Sequence, residues 1–512
     1  MGAFRAILQE QPSLFECAAG CHADCLVYFA AWRNQPGLWV LGRWKNLAGA
    51  LLPRPARSWR FKTKCSDAAN RGLRDQEGEF TCTAAANTSR FSQHGPVRVA
   101  RDLRHFEHAD GTPFFWLADT VWDGARLAAS RDWDFYARAR SSQQFTVAQW
   151  TVAPGHDAKK QTAFKGNDHI IINPEFFQRL DAKLDTLSRA GILSAVAPLS
   201  EPAAQSDMAQ ELPADQVALL LRYMVARWGA QPVVWLLALD GGHSAGKSDG
   251  WKKIGRAVFA EGPHAPVMLY AGNRHDLLDE FRDQKWIDAF GYDSLPGLED
   301  ESGKQTSAGS FNNEWQREPV RPLIPFAPYE NGIVAKTNKR FSSDDARHAI
   351  YWSLLQNPPA GISYGGEGVQ NWDETLDLEG NDRRATELPG WHKALFMPAA
   401  KQMRYVAKLM ASLDFRRLQP QPDFIAPEPG GSAARRNIAA VGTEARDLSV
   451  VYVLENRTLE VFLTALPPSP SVAWFNPRNG QSSPAVAVVG GRTCQFPTPE
   501  PGDWVLVMKS AK

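Results

Sequence analysis

No stretch of this sequence reaches the run of about 18 apolar residues that crosses a bilayer, so no membrane is expected as a partner. Neither sign of charge prevails, with 57 Lys and Arg against 56 Asp and Glu. No basic block is long enough to follow a phosphate backbone, which leaves nucleic acid out as well. Cysteine is sparse, six in 512 residues. Cys17, Cys21 and Cys25 in CAAGCHADC resemble a metal-binding spacing with His22 among them, yet no second cluster completes a tetrahedral set. No metal is expected there. Cys65 and Cys82 flank two strand-like pieces and could form a disulfide in an exported protein. The start, MGAFRAILQEQPSLFEC, has an Arg but no sustained apolar segment, so it does not read as a secretion signal and the cytoplasm is the expected compartment. No GxGxxG follows a strand and no HExxH occurs. Nucleotide binding, metalloprotease chemistry and a serine-hydrolase nucleophile elbow are not expected, and neither is a cofactor.

What is plentiful is tryptophan, 18 residues. Some must be core, while large flat side chains also suit the apolar C–H face of a sugar ring. A chain of this length needs more than one core. Residues 1–98 hold short β-like pieces (LVYFAAW, GLWVLGRW, SWRFKTK, GEFTCTAA) separated by Gly, Pro and Asn turns, the pattern of a small β-sandwich. After 415 the chain returns to short strands (LSVVYVL, LEVFLTAL, VAWFNPRNG, DWVLVMKS), so 415–512 reads as a second β-sandwich.

Between these, residues 99–414 alternate. Eight apolar runs, PFFWLAD, FTVAQW, ILSAVAPL, PVVWLLALD, PVMLYAG, AFGYDSLPG, RPLIPFAPYE and AGISYGG, are mostly interleaved with helical segments such as PEFFQRLDAKLDTLSRAG and DQVALLLRYMVARWG. Apolar strands without period-two alternation fit a parallel sheet covered on both sides. Eight such units in about 300 residues favour a closed (β/α)8 TIM barrel over an open sheet.

In such a barrel, chemistry sits where the strands end. Asp240 closes the fourth run and Glu330 the seventh, so both are expected to point into one rim pocket. Two carboxyls about 5 Å apart can cleave a glycosidic bond with retention, one protonating the leaving oxygen and the other attacking the anomeric carbon. Asp240 could instead cap the helix that follows. Other strand ends offer candidates for reading sugar hydroxyls: Asp119 and Trp122 after the first, Gln149 and Trp150 at the second, with His156 and His169 in the loop beyond. Asn273, Arg274 and His275 follow the fifth run; Tyr292 ends the sixth; Tyr364, Glu367 and Trp372 belong to the eighth. Each has a plainer role open to it: Asp119 as a helix cap, Trp122 as barrel filling, Arg274 in a structural ion pair, and the loop histidines simply solvated. Glu367 is a third rim acid that competes for a catalytic part.

The segments WRFKTKCSDAANRGLRDQEGEFTC, GPVRVARDLRHFEHADGTPFFWLADTVWDG, VVWLLALDGG, RPLIPFAPYEN, AIYWSLLQNPPAGISYGGEGVQNWD, WHKALFMPAAKQM, VAWFNPRNG and PGDWVLVM together resemble a bacterial group. Its members carry an apiosidase-like glycoside hydrolase barrel, preceded by a small β domain and followed by a domain labelled collagen-binding. The resemblance implies a catalytic Asp after strand four and Glu after strand seven, matching Asp240 as acid/base and Glu330 as nucleophile. It also implies a carbohydrate substrate of the branched plant type, such as the apiose-bearing side chains of pectin. Where the family's fourth strand ends in GGD, this chain has Ala238, Leu239 and Asp240; where its eighth-strand loop resembles YGAHG, Glu367 stands in YGGEG. Both departures bear on sugar preference more than on reaction type.

Overall fold

The computed structural model describes residues 89–199, 212–238, 248–260, 264–272, 274–294, 311–332, 340–356, 358–374, 390–426 and 438–510, together with the backbone of four earlier strands. Those four form two antiparallel hairpins, Cys25–Ala31 with Gln35–Leu41 and Ser58–Lys62 with Glu77–Thr81. Cys17, Cys21, Cys65 and Cys82 lie outside the described residues.

The eight apolar runs each become one barrel strand: β1 (Trp116–Thr120), β2 (Val147–Ala153), β3 (Leu193–Leu199), β4 (Val233–Ala238), β5 (Val267–Tyr270), β6 (Ala289–Asp293), β7 (Leu323–Phe326) and β8 (Gly361–Gly365). Every strand pairs in parallel with its sequence neighbours, and β8 closes on β1 through Gly361–Trp116 to Gly365–Thr120. Smaller β-sheet domains flank the barrel on both sides in sequence.

Helices return the chain between strands: α1 (Ser130–Ser142), α2 (Pro174–Arg189), α3 (Ala214–Trp228), α4 (Ser248–Phe259), α5 (His275–Phe281), α6 (Ser343–Gln356) and α7 (Pro398–Ser412). The start of α2 shows how the sequence sets these boundaries. Pro174 takes the first helical position, where a missing N–H costs nothing, and the Asn173 side chain accepts from Phe176 N–H. Phe176, Leu180, Leu184 and Leu187 then repeat at helical spacing and are buried against the barrel. Among the described residues no helix is long and apolar enough to cross a membrane.

Tryptophan serves mainly as filling. Trp116 sits in the barrel interior, while Trp133, Trp150, Trp228, Trp235 and Trp391 pack between strands and helices, all fully buried. The surplus in composition is therefore chiefly core.

The C-terminal domain is a β-sandwich. One sheet has six strands, in the order Gln419–Pro420, Ile438–Gly442, Leu448–Val453, Trp504–Ser510, Pro470–Phe475 and Ser482–Pro484. The other has three: Thr458–Phe462, Thr493–Pro497 and Val488–Gly490. The face of the six-stranded sheet turned away from the three-stranded one shares a core with the barrel's helices, where Tyr351, Leu354 and Met403 meet Val441, Val450 and Val505. At the seam the Arg347 guanidinium of α6 grips Asp503 with two 3.0 Å hydrogen bonds, and Tyr452 Oη donates to the same carboxylate at 3.2 Å. Asp503 is wholly buried. Burial alone would push its carboxyl up, but the hydrogen bonds and charges of His348 and Arg347 prevail and hold it far below the usual carboxylate range.

Leaving a buried charge without its partner costs about 3–5 kcal/mol. Arg347→Ala should therefore lower the unfolding free energy by about that amount in urea denaturation. Because the folded-state value of Asp503 is depressed, its contribution is complete above the unfolded value of roughly 4 and is lost as pH falls below it. Wild type should lose more stability than the Arg347→Ala variant as pH is taken from neutrality to below about 4.

Candidate active site

Side chains on a barrel strand alternate between the interior and the sheath of helices. The interior set includes Ala118, Val147, Leu236, Met268, Tyr270, Ala289, Ile324 and Phe326. Counting by twos from these residues places Thr120, Gln149, Asp293 and Ser363 on the inner side at or near the C-terminal mouth. Gln149 Oε1 accepts from Ser363 Oγ at 2.5 Å and Thr120 Oγ1 at 3.2 Å. Its Nε2 is buried with no acceptor among the described residues, and the residue has no exposed surface. Gln149 thus faces inward as expected, but below the floor of the mouth.

Above that floor lies Asp293, only half-buried, whose Oδ1 accepts from Tyr270 Oη at 2.6 Å. Glycine makes this contact possible. A Cβ on Gly291 would lie 3.0 Å from the Phe326 ring and 3.3 Å from Tyr270, so a larger residue there would crowd both rings beneath Asp293. At the β1 and β7 ends of the rim the half-buried Trp122 donates its Nε1–H to Tyr329 Oη at 3.0 Å. Gly365 admits the Tyr329 ring, since a Cβ there would lie 2.0 Å from it. Trp122 is therefore at the mouth, and Tyr329 and Asp293 join it. In the sequence Asp293 stands unremarked beside Tyr292 in the sixth run, and Tyr329 beside Glu330 in the seventh.

Glu367 lies on the β8 loop, half-buried, and accepts from Gln370 Nε2 at 2.7 Å. Burial first, and then the charge of Asp373, push its carboxyl upward.

Glu330 lies on the other side of the wall. It pairs in parallel with Gly366, one residue out of phase with the inward Ser363 and Gly365. Its carboxylate, 2% exposed, accepts four hydrogen bonds: Ser343 Oγ at 2.5 Å, Tyr364 Oη at 2.6 Å, and the backbone N–H groups of Ala399 and Ala400 at 3.1 and 3.2 Å. These use the lone pairs a carboxylate has to offer. The expectation that Glu330 faces the rim pocket is corrected: the group caps α7 from outside the barrel. That helix needs a cap, because Pro398 has no N–H and Met397 at the cap position has no oxygen on its side chain.

Four further expectations fail for the same geometric reason. Asp119 points outward, fully buried, and is held by Arg140 Nε and Nη2 at 2.8 and 3.0 Å and by Tyr136 Oη at 2.7 Å. Trp150 packs against Trp228 in the sheath, ring centroids 5.9 Å apart. Tyr292 also faces the sheath, its phenol pushed up by burial and then by Glu314. Tyr364 turns outward to Glu330. Trp372, from the β8 loop, is core as well, stacked on Trp391 at 4.1 Å.

His156 and His169 are exposed in the loop after β2, and Arg274 pairs with Asp276 at 2.5 Å. Asp240, Asn273 and the side chain of His275 lie outside the described residues. Among the described residues no three His, Cys, Asp or Glu side chains gather as a metal site.

Two motifs escaped the sequence reading. GGHSAGKS (241–248) matches the phosphate-loop spacing GxxxxGK[ST], and within it GHSAG (242–246) matches the nucleophile elbow GxSxG. Both stand between β4 and α4, a strand-to-helix position. β4 nevertheless belongs to a closed barrel, not to the open sheet that carries these motifs in nucleotide-binding and serine-hydrolase folds.

A closed parallel barrel with an aromatic and carboxylate mouth has the architecture of the barrel glycosidases. Residues 100–417 match the family described as apiosidase-like, catalytic domain, and the chain belongs to that family. Residues 420–509 match a domain described as "Putative collagen-binding domain of a collagenase". No curated protein matches the sequence. Among solved structures, one described as a glycoside hydrolase is 18% identical, with a TM-score of 0.68 over 83% of this chain and 99% of the other. A family 5 glycoside hydrolase from Bacteroides vulgatus is 17% identical, with a TM-score of 0.68 over 83% and 95%. At these identities the likeness is one of fold. Family membership supports glycosidase-type activity in the broad sense.

If Glu330 is a cap, Glu330→Gln should lower stability by about 1.5–3 kcal/mol, the range for hydrogen bonds to a charged group. Turnover should remain above about a tenth of wild type, because no reacting bond is touched. A fall of about 10³ in kcat with an unchanged melting temperature would return Glu330 to the chemistry.

Proposed function

We propose that the protein hydrolyses an O-glycosidic bond of a plant-type oligosaccharide, polysaccharide side chain or glycoside, with net retention, at the C-terminal mouth of its barrel. The observation that carries this is the half-buried Trp122–Tyr329 pair facing a mouth that also presents Asp293. An aromatic face receives the C–H side of a sugar ring, while acids beside it serve the glycosidic oxygen and the anomeric carbon. Asp240, the acid that closes the fourth apolar run, is the acid/base in this proposal. Its carboxyl protonates the leaving oxygen; its carboxylate then takes a proton from the water that completes hydrolysis. Glu367 binds substrate at the rim.

The test is a screen of aryl glycosides and plant oligosaccharides with the product anomer followed by NMR. On a substrate so found, Asp240→Asn should cut kcat by at least about 10³. Sugar binding that persists in wild type with no cleavage of any glycoside would make the barrel a carbohydrate-binding module instead. A 4,5-unsaturated uronic product would make it a lyase. Ser244→Ala separates the rival motif: glycoside turnover should be unchanged, and wild type should show no aryl-ester hydrolysis that this variant loses.

A further inference from the structure

The end of the barrel opposite the mouth carries a cavity of about 350 Å³. Leu117 and Thr146, at the starts of β1 and β2, line it together with Met410 and Ala411 near the end of α7. Its volume lies at the lower end of the ~300–1,000 Å³ that small-molecule sites occupy. We propose that this cavity is a non-catalytic binding site for a sugar acid, a pyranose ring that carries a carboxylate. It goes beyond the hydrolase function and touches none of the residues at the mouth.

The carboxylate is called for by Arg90. This half-buried side chain lines the cavity, and among the described residues it has no carboxylate partner and no side-chain hydrogen bond. Burial pushes its guanidinium below the ordinary arginine value, with no acid to offset the effect. The titratable group it acts on is His108, itself a base. A desolvated guanidinium is a receptor for an anion, and it takes a carboxylate through two parallel N–H groups. The other charges on the wall are Arg416 and Asp414, an exposed pair whose Nε and Oδ1 are 3.5 Å apart. Positive charge therefore prevails.

The ring is called for by the rest of the wall. Asp414 would repel a bare anion, yet it accepts hydrogen bonds from hydroxyls, and the Gln144 amide can both donate and accept. Thr146 takes no part: its hydroxyl donates to Phe115 O and accepts from Leu117 N–H, both at 2.8 Å. Phe115 and Phe415 offer apolar surface to the C–H groups of a sugar. That surface is set in advance, because the Phe415 ring meets Phe115 edge-on at 5.3 Å and His105 at 5.6 Å. Gln144 follows α1 with φ 69°, a left-handed position that glycine serves best. A long polar side chain held there has a reason in the cavity it lines.

The test is binding, followed by ligand-observed NMR on the full chain with free glucuronate and galacturonate, which have no glycosidic bond to cleave. Wild type should bind at least one of them saturably. Arg90→Gln should weaken that binding at least about tenfold, as the loss of a charged hydrogen-bonded pair implies. It should leave turnover unchanged on any glycoside that wild type cleaves. Ala411→Phe, at an exposed position, should fill the cavity and abolish binding with little change in melting temperature. Gln144→Gly should weaken binding without lowering the melting temperature, and Trp122→Ala at the mouth should leave binding as it was. The proposal is overturned if wild type binds neither uronate, if glucose and galactose bind as tightly, or if benzoate binds and the uronates do not. It is also overturned if Arg90→Gln binds as wild type does, or if Trp122→Ala abolishes the binding and so places the sugar at the mouth. None of these readouts needs a bond to be cleaved, so failure of this site and failure of the hydrolase function are told apart.

Discussion

Everything at the mouth depends on the two-sidedness of eight paired strands. Once β8 closes on β1, each residue near a strand end is assigned either to the interior or to the helical sheath, and one position decides which. The consequence is largest for acids. On the sheath side Asp119 has no solvent and would be costly to ionise alone, so the fold supplies Arg140 and Tyr136. Arg140 also donates to Gln143 and to the Leu395 carbonyl, so the ion pair ties β1, α1 and the approach to α7 together. On the mouth side Asp293 keeps partial exposure and accepts a hydrogen bond from Tyr270.

This explains what could be read from the sequence. The eight strands were legible as apolar runs of the right length between amphipathic helices, and the barrel followed from their number. Side was not legible, because strands buried on both faces carry no polar–apolar alternation to mark it. β2 is buried at every position from Val147 to Ala153, so nothing in its composition says that Gln149 looks inward and Trp150 outward. Tyr292 and Asp293 are neighbours at the end of β6 with the same ambiguity, and there the acid, not the tyrosine, reaches the mouth. The tyrosine hydroxyl that orients it comes from β5, a contact that depends on the glycine at 291 and so on packing in three dimensions.

Glu330 was conspicuous as the only acid in RPLIPFAPYENG, and its importance is real although its place differs from the one expected. A signal for that place does exist in the chain. A helix beginning Met397–Pro398–Ala399–Ala400 has orphan N–H groups and no local side chain able to cap them. A carboxylate brought from elsewhere answers both that need and the positive end of the helix dipole. Pinning Glu330 outward also has a backbone consequence. Its N–H donates to Gly365 O and its C=O accepts from Glu367 N–H, both at 2.9 Å, so pairing continues past the end of β7 and holds the loop that carries Glu367.

The same clamp reaches the C-terminal domain through α6. Ser343 at the first residue of that helix donates to Glu330, and Arg347, one turn on, grips Asp503 of the sandwich. Four residues on an α-helix rise about 6 Å. Within that distance one rigid element fixes both the capped end of α7 and the seam between domains. The one-residue offset in pairing that turns Glu330 outward leaves Tyr329 to face Trp122 at the mouth. A C-terminal domain placed in this way needs no ligand of its own to matter. By holding α6 it holds Glu330, and by holding Glu330 it holds the aromatic wall against which a sugar ring would lie.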